Sequence, residues 1–146
     1  VHMDAAGFNL DTWKNLTLTY KHLEHLIDAF MPRTRRNNTY CKTLSGVSDE
    51  RIKSVRTIDG LREVFNNDRY HKVNFEAYSR HRTVEFRQHS GTTNFTKMEN
   101  WIRLLNGLIT FAKRSSLPSR MTLEELPFLD GKQKLFFKLR TKKLAV

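Results

Sequence analysis

The sequence predicts an α+β fold, an antiparallel sheet with helices packed against it. Two long stretches carry apolar residues at helical spacing. Between them the period switches to two, in two neighbouring runs close enough to pair as antiparallel strands. With 146 residues, 38% of them hydrophobic and ten of them Phe, the chain is the size of one domain and can bury a core.

The first helix is expected from Asp11 to Phe30. Trp13, Leu16, Tyr20, Leu23, Ile27 and Phe30 recur every three or four residues and form one stripe, with Asp11 as the expected cap and Pro32 as the stop. Arg33 to Ser48 has no period and reads as a basic loop. A short helix from Ile58 to Asn67 would face Leu61, Val64 and Phe65 inward. The runs Tyr70–Ala77 and Arg82–His89 then alternate as strands, with Tyr78-Ser79-Arg80-His81 as the hairpin turn. In the second run Val84 and Phe86 share one face, and Thr83, Glu85, Arg87 and His89 share the other. Thr96 and Glu99 suggest a capping box for a long helix whose buried face would hold Met98, Trp101, Ile102, Leu105, Leu108, Ile109 and Ala112. After Pro118 and a short acidic turn, Lys132–Lys143 is expected as a basic amphipathic helix with Leu135, Phe136 and Leu139 inward.

Charge narrows the function. Lys and Arg total 26 against 15 acidic residues, a net +11, which draws anions: nucleic acid, nucleotide phosphates or anionic surfaces. A single cysteine, Cys41, makes no internal disulfide and fits a cytoplasmic location. No apolar run approaches the ~20 residues of a membrane helix, and no secretory leader is evident. The chain starts with Val1-His2-Met3, and a His-Met pair can also be left by cloning. The unbroken pattern from Asp4 to Leu10 favours a native His2.

Glu85 and Arg87 place opposite charges about 7 Å apart on one strand face. A carboxylate there can hold magnesium, and a guanidinium can grip an oxyanion; an ordinary surface ion pair has the same spacing. Arg33, Arg35 and Arg36, on a loop without acids, make a second candidate anion surface. His22 and His25 flank Glu24 without a metal-protease spacing and read as exposed side chains. His71, His81 and His89 form no set, and Cys41 lacks a base in sequence. Zinc-finger, basic-zipper and RNA-recognition patterns are missing. Nucleic-acid binding by the arginine loop and Lys132–Lys143 therefore rests on charge alone.

These residues resemble a known family. Tyr70-His71-Lys72-Val73-Asn74-Phe75, then Thr83-Val84-Glu85-Phe86-Arg87-Gln88-His89-Ser90-Gly91-Thr92, then the Trp101-Ile102 pair, are similar to the end of the amidoligase family of bacteria and phages. Val1-His2-Met3-Asp4 resembles the latter part of that family's Gly-x-His-Val-His strand, and Met31-Pro32-x-x-Arg35-Arg36-Asn37-Asn38 resembles its following loop. The likeness covers residues 1–116 as the C-terminal part of an amidoligase-like domain, with 117–146 as a basic helical extension. It implies a partial glutamine-synthetase-like fold and an ATP-dependent carboxylate–amine ligase using ATP and magnesium. Carried over, Glu85 and His2 would be metal ligands, and Glu85 and Arg87 catalytic. Arg87, Arg33, Arg35 and Arg36 would bind phosphate or the substrate carboxylate. The family's acidic residues on strands before the His2 strand are not in this sequence. The chain is thus expected to be an incomplete portion of the enzyme, with a non-catalytic scaffold as the alternative.

Overall fold

A computed structural model describes residues 1–145. It is an α+β arrangement of six α-helices and a three-stranded antiparallel sheet. Strands β1 (His2–Asp4), β2 (Val73–Asn74) and β3 (Thr83–Phe86) lie in the order β1-β3-β2, so β3 is central. The register sets His2 opposite Glu85 on one side and Asn74 opposite Glu85 on the other. One carboxylate is thereby flanked by both edge strands.

Helix α1 (Leu10–Ala29) forms from the expected stripe, and Trp13, Leu16, Tyr20, Leu23 and Ile27 are all buried. Its cap is Asn9, whose side chain accepts from the Thr12 N–H; Asp11 instead sits in the first turn, where a negative charge suits the helix dipole. Trp13 is the hub of an aromatic cluster, meeting Phe8, Phe75 and Tyr78 edge-on. On the sheet side Tyr20 stacks over Phe86, with ring centroids 6.0 Å apart.

The basic loop holds a short 3-10 turn at Arg33–Arg35, and Lys42 bridges in parallel to His71. Helix α2 (Asp49–Ser54), just past the stretch read as a loop, follows, capped by Ser48. Helix α3 (Ile58–Val64) is capped by Thr57 and ends before the expected Asn67, because Asn66 and Asn67 turn left-handed at φ 61° and 52°.

The expected hairpin is different in detail. Tyr78–His81 belongs to a helical turn, α4 (Ala77–His81), which Arg82 ends in the left-handed conformation at φ 55°. The run Tyr70–Ala77 contributes only β2 to the sheet. Its alternation fails because Lys72, Val73, Asn74 and Phe75 are all buried, so both sides of the segment face protein.

Helix α5 (Phe95–Ala112) starts from Asn94, whose side chain accepts from the Lys97 N–H. The Thr96–Glu99 capping box therefore does not form; the helix has already begun when the chain reaches Thr96. Its buried stripe is Trp101, Leu104, Leu105, Leu108, Ile109 and Ala112. Met98 and Ile102, expected inside, are exposed beside Phe95. Gly107 lets the chain that follows close on α5, since a Cβ there would lie 2.8 Å from the Phe128 carbonyl oxygen.

Helix α6 (Gly131–Leu144) is capped reciprocally by Asp130 and Gln133. Its inward residue is Phe137, which stacks on Phe30 at 4.4 Å, with Phe136 half-buried. Leu135 and Leu139 face outward, contrary to expectation, because the helix is turned to present Gln133 and Phe137 to the protein. No helix among the described residues is long and apolar enough to cross a membrane.

Candidate active site

Strand alternation divides β3 as the sequence suggests. Val84 and Phe86 enter the core, and Glu85 and Arg87 stay on the opposite, partly open face. Glu85 Oε1 accepts from Asn74 Nδ2 at 2.9 Å and from Arg87 Nη1 at 3.1 Å. Its other oxygen, Oε2, lies 3.1 Å from His2 Nε2. The His2 ring is oriented from behind by Nδ1, 2.8 Å from the Thr83 hydroxyl, and meets His81 edge-on. The residues that the sequence nominated as a pair of metal ligands therefore do meet on one face, with Arg87 beside them.

Arg87 is held as a flat donor plate. Its guanidinium lies 5.1 Å from the centre of the Tyr70 ring, and Tyr70 in turn meets Tyr40 edge-on. Only Nη1 is engaged by Glu85, and Nε is buried without a hydrogen-bond partner. A buried guanidinium donor left unpaired is costly; the side chain as a whole is still partly open on this face.

The three loop arginines separate. Arg35 reaches the strand, donating from Nη1 to the Arg87 carbonyl at 3.4 Å. Arg36 turns back on its own loop, with Nε donating to the Met31 carbonyl at 3.0 Å. Arg33 is exposed.

Glu85 is an ionised carboxylate. Burial pushes its pKa up, but the Asn74 and Arg87 hydrogen bonds and the Arg87 and His2 charges outweigh it and hold the group below the usual range. Glu85 Oε2 and His2 Nε2, 3.1 Å apart, would both be within reach of one magnesium ion, to which Glu85 would offer the oxygen that a hard cation prefers and His2 a nitrogen. Among the described residues no three His, Cys, Asp or Glu side chains converge, so any remaining ligands must come from phosphate oxygens, water or other protein segments.

A family model described as "Putative amidoligase enzyme" matches residues 1–109. The chain belongs to the amidoligase family. No curated protein and no solved structure matches it. The match spans β1, the arginine loop, β3 and most of α5, and so includes each nominated site residue.

Beneath the face lies a buried polar network that the sequence reading did not identify. Lys72, fully buried, lies 2.9 Å from Asp28 Oδ1 and 3.3 Å from Glu24 Oε2. Glu24 also accepts from the Thr43 hydroxyl and the Leu44 N–H. Gln88 ties the network to the strand: Oε1 accepts from the Tyr20 hydroxyl at 2.6 Å, and Nε2 donates to Asp28 and to the Arg35 carbonyl at 3.1 Å. The arginine loop is thereby fixed to the strand that carries Glu85 and Arg87. The available signal was slight: Lys72 next to Val73 in the run read as a strand, and an i,i+4 acid pair, Glu24 and Asp28, bordering the α1 stripe.

His22 is a correction. It is buried, with Nδ1 2.8 Å from the Leu117 carbonyl and Nε2 2.9 Å from Asp49, because the chain after α5 folds back over α1. His25 is half-buried against the Met121 carbonyl for the same reason. Cys41 is buried, and burial pushes its thiol pKa up, which leaves it a poor nucleophile.

Acid should loosen this structure. Burial raises the Asp49 pKa, but the Lys21 and His22 hydrogen bonds outweigh it and leave the carboxyl below its ordinary value. The Lys42 hydrogen bond lowers that of Asp68. For these groups and Glu85 the unfolded chain binds more protons than the folded one near pH 4, so their contribution is present above about pH 4 and lost as pH falls through the folded values. Denaturant midpoints should therefore drop between about pH 5 and 3, less steeply in Asp49→Asn. Midpoints that rise over that interval would contradict the assignment.

Proposed function

We propose that this amidoligase is an ATP-dependent carboxylate–amine ligase and that the Glu85–Arg87 face of the sheet carries its chemistry. The supporting observation is the convergence of His2 and Arg87 on the Glu85 carboxylate, with the Arg87 side chain partly open beside it.

The reaction has two steps. A substrate carboxylate oxygen attacks the γ-phosphorus of ATP, the bond to the bridging oxygen breaks, and ADP leaves. The amine nitrogen then attacks the acyl carbon, inorganic phosphate departs with the C–O electron pair, and the nitrogen loses a proton to give the amide. Phosphoryl transfer of this kind is catalysed mainly by positioning and charge stabilisation. Glu85 and His2 would hold magnesium, whose charge offsets that of the phosphates. Arg87 would bind the substrate carboxylate or the transferring phosphoryl oxygens through the N–H groups that Glu85 leaves free. Of the loop arginines, Arg35 stands nearest the strand and would meet phosphate first, with Arg33 and Arg36 further along the loop. Gln88, bonded to the Arg35 carbonyl, keeps that loop in place.

Hydroxylamine tests the acyl-phosphate route, because it replaces the amine and yields a hydroxamate. The intact protein, given ATP, magnesium, hydroxylamine and a panel of carboxylates, should form hydroxamate and ADP in equal amounts. ADP release that is indifferent to the carboxylate and gives no hydroxamate would point to a simple ATPase and sink the ligase reading.

A further inference from the structure

Beyond Arg87 the chain continues through Gln88 to His89-Ser90-Gly91-Thr92, then enters α5. A small cavity of about 70 Å³ opens here, walled on its apolar side by Phe30, Met31, Pro32, Phe136 and Phe137 and on its polar side by this loop, Lys97 and Arg140. His89 is one of its lining residues and is held in place: the ring packs on Trp101 at 5.3 Å, and Nδ1 is 2.6 Å from the Ser90 carbonyl, so Nδ1 carries the hydrogen and Nε2 is left free.

The charges around this cavity break local rules. Lys97 lies in the first turn of α5, which contains no acid, so a cation occupies the positive end of the helix dipole. Arg140 comes from α6 and lines the same cavity, and neither cation has an ion-pair partner among the described residues. The His89 pKa is lowered, first by burial and then by the nearby charges of Lys97, Arg140 and Arg35. Like charges converging on a cavity destabilise the fold unless an anion joins them.

We propose that Arg140, Lys97 and His89 form an oxyanion pocket at the end of β3 that takes a phosphate or carboxylate group of the ligase substrates. The proposal rests on the ligase reading for the identity of the ligand, though not for the pocket itself. Arg140 lies outside the matched residues 1–109, so the helical extension supplies a substrate-binding residue that the shared part of the family does not.

The direct probe is inorganic phosphate added to the intact protein, followed through the His89 Cε1–H resonance. Saturable shifts are expected, with affinity about tenfold weaker in Arg140→Ala and in Lys97→Ala and unchanged in Glu85→Gln. Arg140→Lys should recover part of the loss. Acetate and ATP then distinguish the source: a carboxylate pocket answers to acetate, a nucleotide pocket to ATP at far lower concentration. A His89 resonance that does not respond to phosphate, or that responds equally in folded Arg140→Ala, overturns the proposal. If phosphate binds as described while hydroxylamine trapping fails, the pocket stands and the ligase assignment falls.

Discussion

Replacing Lys72 with Met should cost the protein about 3–5 kcal/mol, because it leaves Glu24 and Asp28 without the cation that neutralises them. Lys72 is fully buried and Glu24 nearly so, so the larger part of the cost falls on Glu24, whereas Asp28, 29% exposed, is partly hydrated. In a domain of this size the loss corresponds to a fall of roughly 10–16 °C in melting temperature. The double variant Lys72→Met/Glu24→Gln should recover part of it, since the uncompensated charge is removed together with its partner. Thermal and denaturant unfolding of the two variants measures this. A Lys72→Met protein as stable as the wild type would show that the network beneath the strand carries no strain when broken, and that the arginine loop is held by other contacts.

The second large effect is on activity. Arg87→Ala should lower amide formation about 10²–10³-fold, the usual consequence of removing a charged group that meets developing negative charge. Arg87→Lys should restore little, because an ammonium offers neither the planar fork that meets an oxyanion nor the flat surface that lies over Tyr70. Stability should change little, as the Arg87 and Glu85 side chains are both partly open to solvent and Glu85 keeps its hydrogen bond from Asn74. Separate KM values for ATP and for the carboxylate identify which of the two Arg87 holds. A folded Arg87→Ala enzyme with unaltered kcat/KM would remove the residue from the site.

These two cases also show where the sequence is informative. The α1 stripe and the Val84/Phe86 face are local periodicities, and local periodicity is what a single sequence encodes most directly. Caps were less legible. Asn9 and Asn94 took the roles expected of Asp11 and Thr96 because several capping residues crowd each helix start, and backbone conformation decides among them. The outward turn of Leu135 and Leu139 depends on how α6 docks, with Phe137 against Phe30, which its own spacing does not reveal.

The site divides in the same way. The polar run Thr83, Glu85, Arg87 was readable from alternation, whereas the meeting of Glu85 with His2 requires a pairing between distant segments. Only the family resemblance anticipated it. Lys72 and His22 were missed because each is buried by a partner far away in sequence, Asp28 and Glu24 in one case and the Leu117 strap with Asp49 in the other. A long-range ion pair leaves no periodic trace.

The central claim is that Glu85 is the carboxylate around which the reaction is organised. Amine-dependent ADP release by the intact protein, compared between wild type and Glu85→Gln, tests it most directly. Gln keeps the shape and can still accept from Asn74 and Arg87, but it loses the negative charge that a magnesium ion and the His2–Glu85–Arg87 arrangement require. The expected result is a folded variant whose turnover is lower by about 10³-fold. Turnover within twofold of wild type in a folded Glu85→Gln protein would contradict the account and reduce the face to a surface ion pair.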